Sequence, residues 1–143
     1  MLYVKKITVP ANTPKENPYR VDVNIYEKYL TRIGVFFPPG PMLLVGVSVW
    51  YGETQIFPHR EGDWVVGDFQ FIQSRVEFEA PEKPCRLRIL CYNEDDTYDH
   101  TVVVYLYTTN ISTREMMNQL IKAIESLGLT QRSIFGFRRW RWW

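Results

Sequence analysis

Residues 85–108 read CRLRILCYNEDDTYDHTVVVYLYT. Cys85, Leu87, Ile89 and Cys91 alternate with Arg86 and Arg88, the period of two that a strand with one buried face requires. Seven polar residues follow, Asn93 to Asp99, and His100 to Thr108 opens a second apolar run. Asn and Asp favour turns because their side chains hydrogen-bond their own backbone. The plain reading is therefore two strands joined by a solvated hairpin.

Outward from this stretch the same grammar repeats. Residues 69–79 (FQFIQSRVEFE) alternate and are closed by Pro81 to Pro84. Residues 43–50 (LLVGVSVW) put Leu43, Val45, Val47 and Val49 on one face, with Gly46 and Ser48 leaving room for a neighbour on the other. Tyr51-Gly52-Glu53 is a turn into a short strand over 54–57, and 59–68 is a longer loop. Residues 30–37 form a strand ended by Pro38-Pro39-Gly40-Pro41. Residues 19–26 and 2–9 are two more, separated by the proline-rich segment 10–18, an ordered loop or an extended arm. About eight short strands at this spacing predict a mainly β fold, an eight-stranded antiparallel β-sandwich that is jelly-roll-like. An immunoglobulin-like sandwich ranks second, because it needs a core Trp between paired cysteines.

The period changes after residue 111. Ser112-Thr113-Arg114-Glu115 is a capping box. Met116, Met117, Leu120, Ile121, Ile124 and Leu127 then make one helical stripe, and Gly128 suits the C-terminal end. A helix over about 113–127 follows. Such a helix is marginal alone, so its stripe must pack on its own sandwich or on a partner. Residues 129–143 (LTQRSIFGFRRWRWW) interleave Phe135, Phe137, Trp140, Trp142 and Trp143 with Arg138, Arg139 and Arg141. The organisation expected is a sandwich over 1–109, a C-terminal amphipathic helix over 110–128 and a basic Trp-rich tail over 129–143.

The chain has 143 residues, one domain's worth, with 45% hydrophobic and 15% aromatic side chains. Residues 1–111 carry 11 Lys/Arg against 14 Asp/Glu, and residues 112–143 carry 6 against 2. A slightly acidic body with a basic end marks a contact tail. Cys85 and Cys91 lie on one strand about 20 Å apart, too far for a bridge, and read as buried thiols of a reducing compartment. No opening stretch resembles a signal peptide and no apolar run approaches a membrane span.

Catalytic motifs are missing: there is no G-x-S-x-G, Walker A, dinucleotide fingerprint or H-E-x-x-H. A Cys91–His100 nucleophile pair is disfavoured because Cys91 sits on the apolar face. The acidic turn of Glu94, Asp95, Asp96 and Asp99 lacks the glycine and spacing of an EF-hand, and Glu61, Asp63 and Asp68 near His59 are weaker still. The expectation is no enzyme, no metal site and no cofactor. Trp50, Tyr51, Trp64 and Tyr98 are candidates for stacking on a glycan, with Trp64 first. The tail fits protein docking best, since Trp and Arg dominate interface hot spots; a tail folded back on its own domain ranks next, and nucleic-acid and membrane-surface binding rank below both.

Three strings carry a resemblance. Ile7-Thr8-Val9-Pro10-Ala11-Asn12-Thr13-Pro14-Lys15 with Asn17-Pro18 is the first. Phe37-Pro38-Pro39-Gly40 with Leu44-Val45-Gly46-Val47 is the second, and Tyr92-Asn93-Glu94-Asp95-Asp96-Thr97-Tyr98-Asp99-His100-Thr101 the third. In this order they resemble small uncharacterised proteins encoded among the virion-structural genes of tailed phages and proviruses of bacteria and archaea. The resemblance spans about residues 3–104 and leaves out the helix and tail. It implies a virion component, such as a capsid decoration or head-associated protein, whose partner is a capsid or other virion protein and which forms a homo-oligomer. It supplies no catalytic residue. The docking residues expected are Met116, Met117, Leu120, Ile121 and Ile124 on the helix, with Phe135, Phe137, Arg138, Arg139, Trp140, Arg141, Trp142 and Trp143 on the tail.

Overall fold

Alternating apolar residues build nine strands among the residues 1–128 that the computed structural model describes. They are β1 (Leu2–Val9), β2 (Tyr19–Ile25), β3 (Tyr29–Phe37), β4 (Val45–Tyr51), β5 (Thr54–Phe57), β6 (Val65–Val66), β7 (Gln70–Glu79), β8 (Cys85–Asn93) and β9 (His100–Thr109). One helix follows, α1 (Thr113–Ser126). The ninth strand is β6, two residues long, inside the segment expected to be all loop; it pairs with β4 at Gly46 and Val47.

All pairings are antiparallel. The first sheet has the order β1-β9-β3-β7 and the second β2-β8-β4-β5. The chain crosses between sheets at nearly every connection, which is the wrapping of a jelly roll. The longer strands give alternate side chains to one shared core. Ile7 and Val9 enter it from β1; Val102, Val104 and Leu106 from β9; Ile33, Val35 and Phe37 from β3. Val45, Val47 and Val49 of β4 and the full row Cys85, Leu87, Ile89 and Cys91 of β8 meet them from the other sheet. Both cysteines are buried and free.

Two expectations need correction. β8 and β9 do not form a hairpin: β8 pairs with β2 and β4, and β9 with β1 and β3. Residues 94–99 carry the chain from one sheet to the other. Leu43 leaves the alternating row because a tight turn precedes β4. Leu44 N donates to the Pro41 carbonyl at 2.8 Å, Met42 and Leu43 have φ of 48° and 66°, and Leu43 is exposed.

Met1–Asn110 is one compact unit, and a second begins at Ile111. In the second, the capping box is complete: Glu115 N donates to Ser112 Oγ at 3.1 Å and Ser112 N to Glu115 Oε2 at 2.9 Å. Gly128, with φ of 76°, takes the left-handed position just past the helix and donates to the Glu125 carbonyl. None of the described helices is long and apolar enough to cross a membrane.

Candidate docking surfaces

The crossover 93–100 and the loop after β1 are tied together at one end of the sandwich. Asn93 is fully buried; its Nδ2 donates to the carbonyls of Val9 (3.1 Å) and Tyr98 (3.0 Å), and its Oδ1 accepts from Asp95 N (3.0 Å). Its backbone exchanges two 3.0 Å hydrogen bonds with Thr13. Asn12 N donates to the Asp95 carbonyl, and Ala11 N to Asp99 Oδ1 at 2.8 Å. Glu94 N reaches the Leu44 carbonyl, and Lys15 pairs with Glu94 at 3.4 Å while lying 4.8 Å from the Tyr92 ring centre. Gly46 lies beneath that same ring: a β-carbon there would come within 2.1 Å of it. The fold thus gathers residues of all three motif strings into one hydrogen-bonded end. The proline-rich segment is an ordered loop over these residues and not an extended arm.

This network engages the side chains proposed for chemistry. Asp95 Oδ1 accepts from Thr97 N and Tyr98 N, and Oδ2 lies 2.8 Å from His100 Nε2. The Thr97 amide first, then the His100 and Tyr98 bonds, hold the Asp95 carboxyl below the usual range. Burial pushes the Cys91 thiol up to about 12, far from the thiolate a nucleophile needs. Among the described residues, no group of three or more His, Cys, Asp or Glu side chains is arranged to hold a metal ion.

The four glycan candidates do not form one platform. Trp64 is half-buried, edge-on to Tyr92 with centroids 4.9 Å apart. Trp50 donates from Nε1 to Ser48 Oγ at 2.9 Å and lies beside Arg88. Tyr51 packs on Phe78 and donates to Glu82. Tyr98, on the crossover, is the one exposed ring of the four. A cleft of about 600 Å³ between β5 and β7, lined by Ile56, Phe57, His59, Ser74, Arg75 and Phe78, contains none of them.

The docking candidates on α1 lie at the surface of the helix. The helix has no buried residue, and Met116, Met117, Leu120 and Ile121 are exposed, with Ile124 half-buried. Phe135, Phe137, Arg138, Arg139, Trp140, Arg141, Trp142 and Trp143 lie outside the described residues.

Sequence reasoning missed a second apolar surface, the outward face of the first sheet. The pairing sets Val4 beside Tyr105, Leu2 beside Tyr107, and Val103 beside Phe36, which neighbours Phe71. Phe71 closes over Gly34 and meets Tyr105 edge-on at 5.6 Å. Leu2, Val4 and Phe71 are exposed, while Phe36, Val103, Tyr105 and Tyr107 are half-buried. Lys6, Arg32 and Arg75 lie among them. The outward face of an antiparallel sandwich is ordinarily polar. The signal was in plain view: residues 102–107 (VVVYLY) are apolar on both faces of their strand.

Compared with protein-family models, curated proteins and solved structures, the chain matches none.

Proposed function

We propose that this chain is a non-enzymatic structural protein of a viral particle, a capsid decoration or head-associated protein that docks through its C-terminal helix and tail. The observation that carries the docking half is α1. It is closed by a full capping box and presents an apolar stripe at helical spacing, of which Met116, Met117, Leu120 and Ile121 are exposed. A 14-residue helix gains most of its stability from what covers its apolar face, so its partner is part of its design. The outward face of the first sheet adds apolar and aromatic surface of the kind found at interface centres. The virion half rests on the three motif strings and their resemblance to virion-gene products. A jelly roll with a rigid end and a sticky terminal segment suits repeated docking on a symmetric lattice.

Two measurements test the two halves. Leu120→Gln with Ile121→Gln keeps helix propensity and removes the centre of the stripe. Association of the full chain with its partner shell should fall by an order of magnitude or more, with the sandwich's melting unchanged; equal association of variant and parent refutes docking through α1. Mass spectrometry of purified particles from the virus or provirus that encodes the chain should find it at a fixed stoichiometry. Its absence from those particles refutes the virion role.

A further inference from the structure

Among the described residues the two open sheets end in β1 and β7 in the first and in β2 and β5 in the second, where the two-residue β6 also pairs with β4 alone. An edge strand presents unpaired backbone groups to any other strand, and proteins blunt such edges with lysines, bulges or short length. Three of the four are blunted in these ways. β1 carries Lys5 and Lys6 at its middle. β7 is long, but its register with β3 shifts opposite Leu30 to Arg32, the mark of a bulge. β5 has four residues and a register shift of its own.

β2 is the exception. It pairs with β8 residue for residue from Tyr19↔Cys91 to Ile25↔Cys85 without a shift, and holds no proline or lysine. Val23 and Ile25 are buried and Val21 is half-buried on its core side; Arg20, Asp22 and Asn24 are exposed on the outward side. Arg20 Nε and Asp22 Oδ1 are 2.9 Å apart, two neighbours of opposite charge on one face.

That spacing is self-complementary. When two β2 strands meet antiparallel with Val21 opposite Val21, Arg20 of each copy stands opposite Asp22 of the other, twice by symmetry. On the core side Tyr19 then stands opposite Val23. Sliding by two residues sets Asp22 against Asp22 or Arg20 against Arg20, and like charges directly opposite are destabilising. Sliding by one turns the valines of one strand toward the charges of the other. We infer that β2 is a self-association edge: a second copy of this chain adds to it antiparallel about Val21, joining the two second sheets into one continuous sheet across a two-fold axis. This inference is independent of docking through α1.

The test uses the full chain and two charge variants, Arg20→Glu and Asp22→Lys. The first makes both charges of the outward row of β2 acidic and the second makes both basic, Asn24 staying neutral. Sedimentation equilibrium of the parent should show a dimer. Each variant alone should dissociate about tenfold more readily, and an equimolar mixture of the two should regain parental affinity as a heterodimer. Circular dichroism of each variant checks that the sandwich is intact. Val21→Cys supplies a second reading: mild oxidation should link two copies through position 21, whereas Asn24→Cys should not link. A parent that stays monomeric across the concentration range overturns the inference. So do variants that dissociate like the parent, a mixture that gains nothing, or equal cross-linking at 21 and 24.

Discussion

The side-chain amide of Asn93 donates to the Val9 carbonyl across 3.1 Å, joining residues 84 positions apart and strands of different sheets. Its second donor bond goes to Tyr98 and its oxygen accepts from Asp95 N, so one buried side chain closes the end of β1 against the start of the crossover. Alanine removes all three bonds, the buried one to the Val9 carbonyl among them. Asn93→Ala should cost about 2–4 kcal/mol, read as a lower urea midpoint with an unchanged slope. A loss below about 0.5 kcal/mol would show that water replaces these bonds freely.

Two carboxyls make the fold sensitive to acid. Glu27 is buried, 7% exposed. Burial raises its pKa, but hydrogen bonds from the Tyr3 hydroxyl (2.8 Å), from Thr108 and from the backbone outweigh this and leave it below the ordinary value. Asp95 is also lowered, first by the Thr97 amide and then by His100. A carboxyl with a depressed folded pKa contributes stability that is complete above its unfolded pKa, about 4, and lost as pH falls through the folded value. Melting temperature should therefore drop below about pH 4, and Glu27→Gln with Asp95→Asn should flatten that decline. An acid limb of unchanged steepness in the double variant assigns it to other groups.

The thiols should be silent in the native state. Cys91 is pushed up to about 12 by burial, and burial, followed by the Glu82 charge, raises Cys85. At about pH 8, where an open thiol is partly ionised, a thiol-reactive dye should label neither within the time that labels both in guanidinium chloride. Rapid labelling of one under native conditions would reveal local opening of β8.

Part of this fold was readable residue by residue. The β8 row of Cys85, Leu87, Ile89 and Cys91 and the Ser112–Glu115 capping box follow from local spacing, and both stand as expected. The false hairpin at 93–99 has the opposite origin. Alternation reports that two segments are strands but not which strands they join, and Asn and Asp serve a crossover as well as a turn. What fixes β9 in the other sheet is its pairing with β1 and β3, which no local pattern records. The outward apolar face was half legible, in the two-sided apolar run 102–107, but its extent was not. Val103, Tyr105 and Tyr107 become a surface only when Val4, Phe36 and Phe71 arrive from distant positions beside them.

Gly46 and Gly34 look alike, each a strand glycine beneath an aromatic ring, yet alanine should separate them. A β-carbon at Gly46 would lie 2.1 Å from Tyr92 Cε1, and one at Gly34 2.5 Å from Phe71 Cζ. The difference is whether the ring can leave. Tyr92 is 4% exposed, with Trp64 edge-on at one side and Lys15 over its face, and its strand runs through the centre of the second sheet. Phe71 is on the edge strand β7 and 43% exposed, held by its edge contact with Tyr105. Gly46→Ala should therefore cost about 1–3 kcal/mol as overpacking. Gly34→Ala should cost less than half as much, its ring swinging into solvent. Denaturation of the two variants side by side checks this, and equal losses would mean that Phe71 is as tightly held as Tyr92, making the outward face a rigid surface and not an adaptable one.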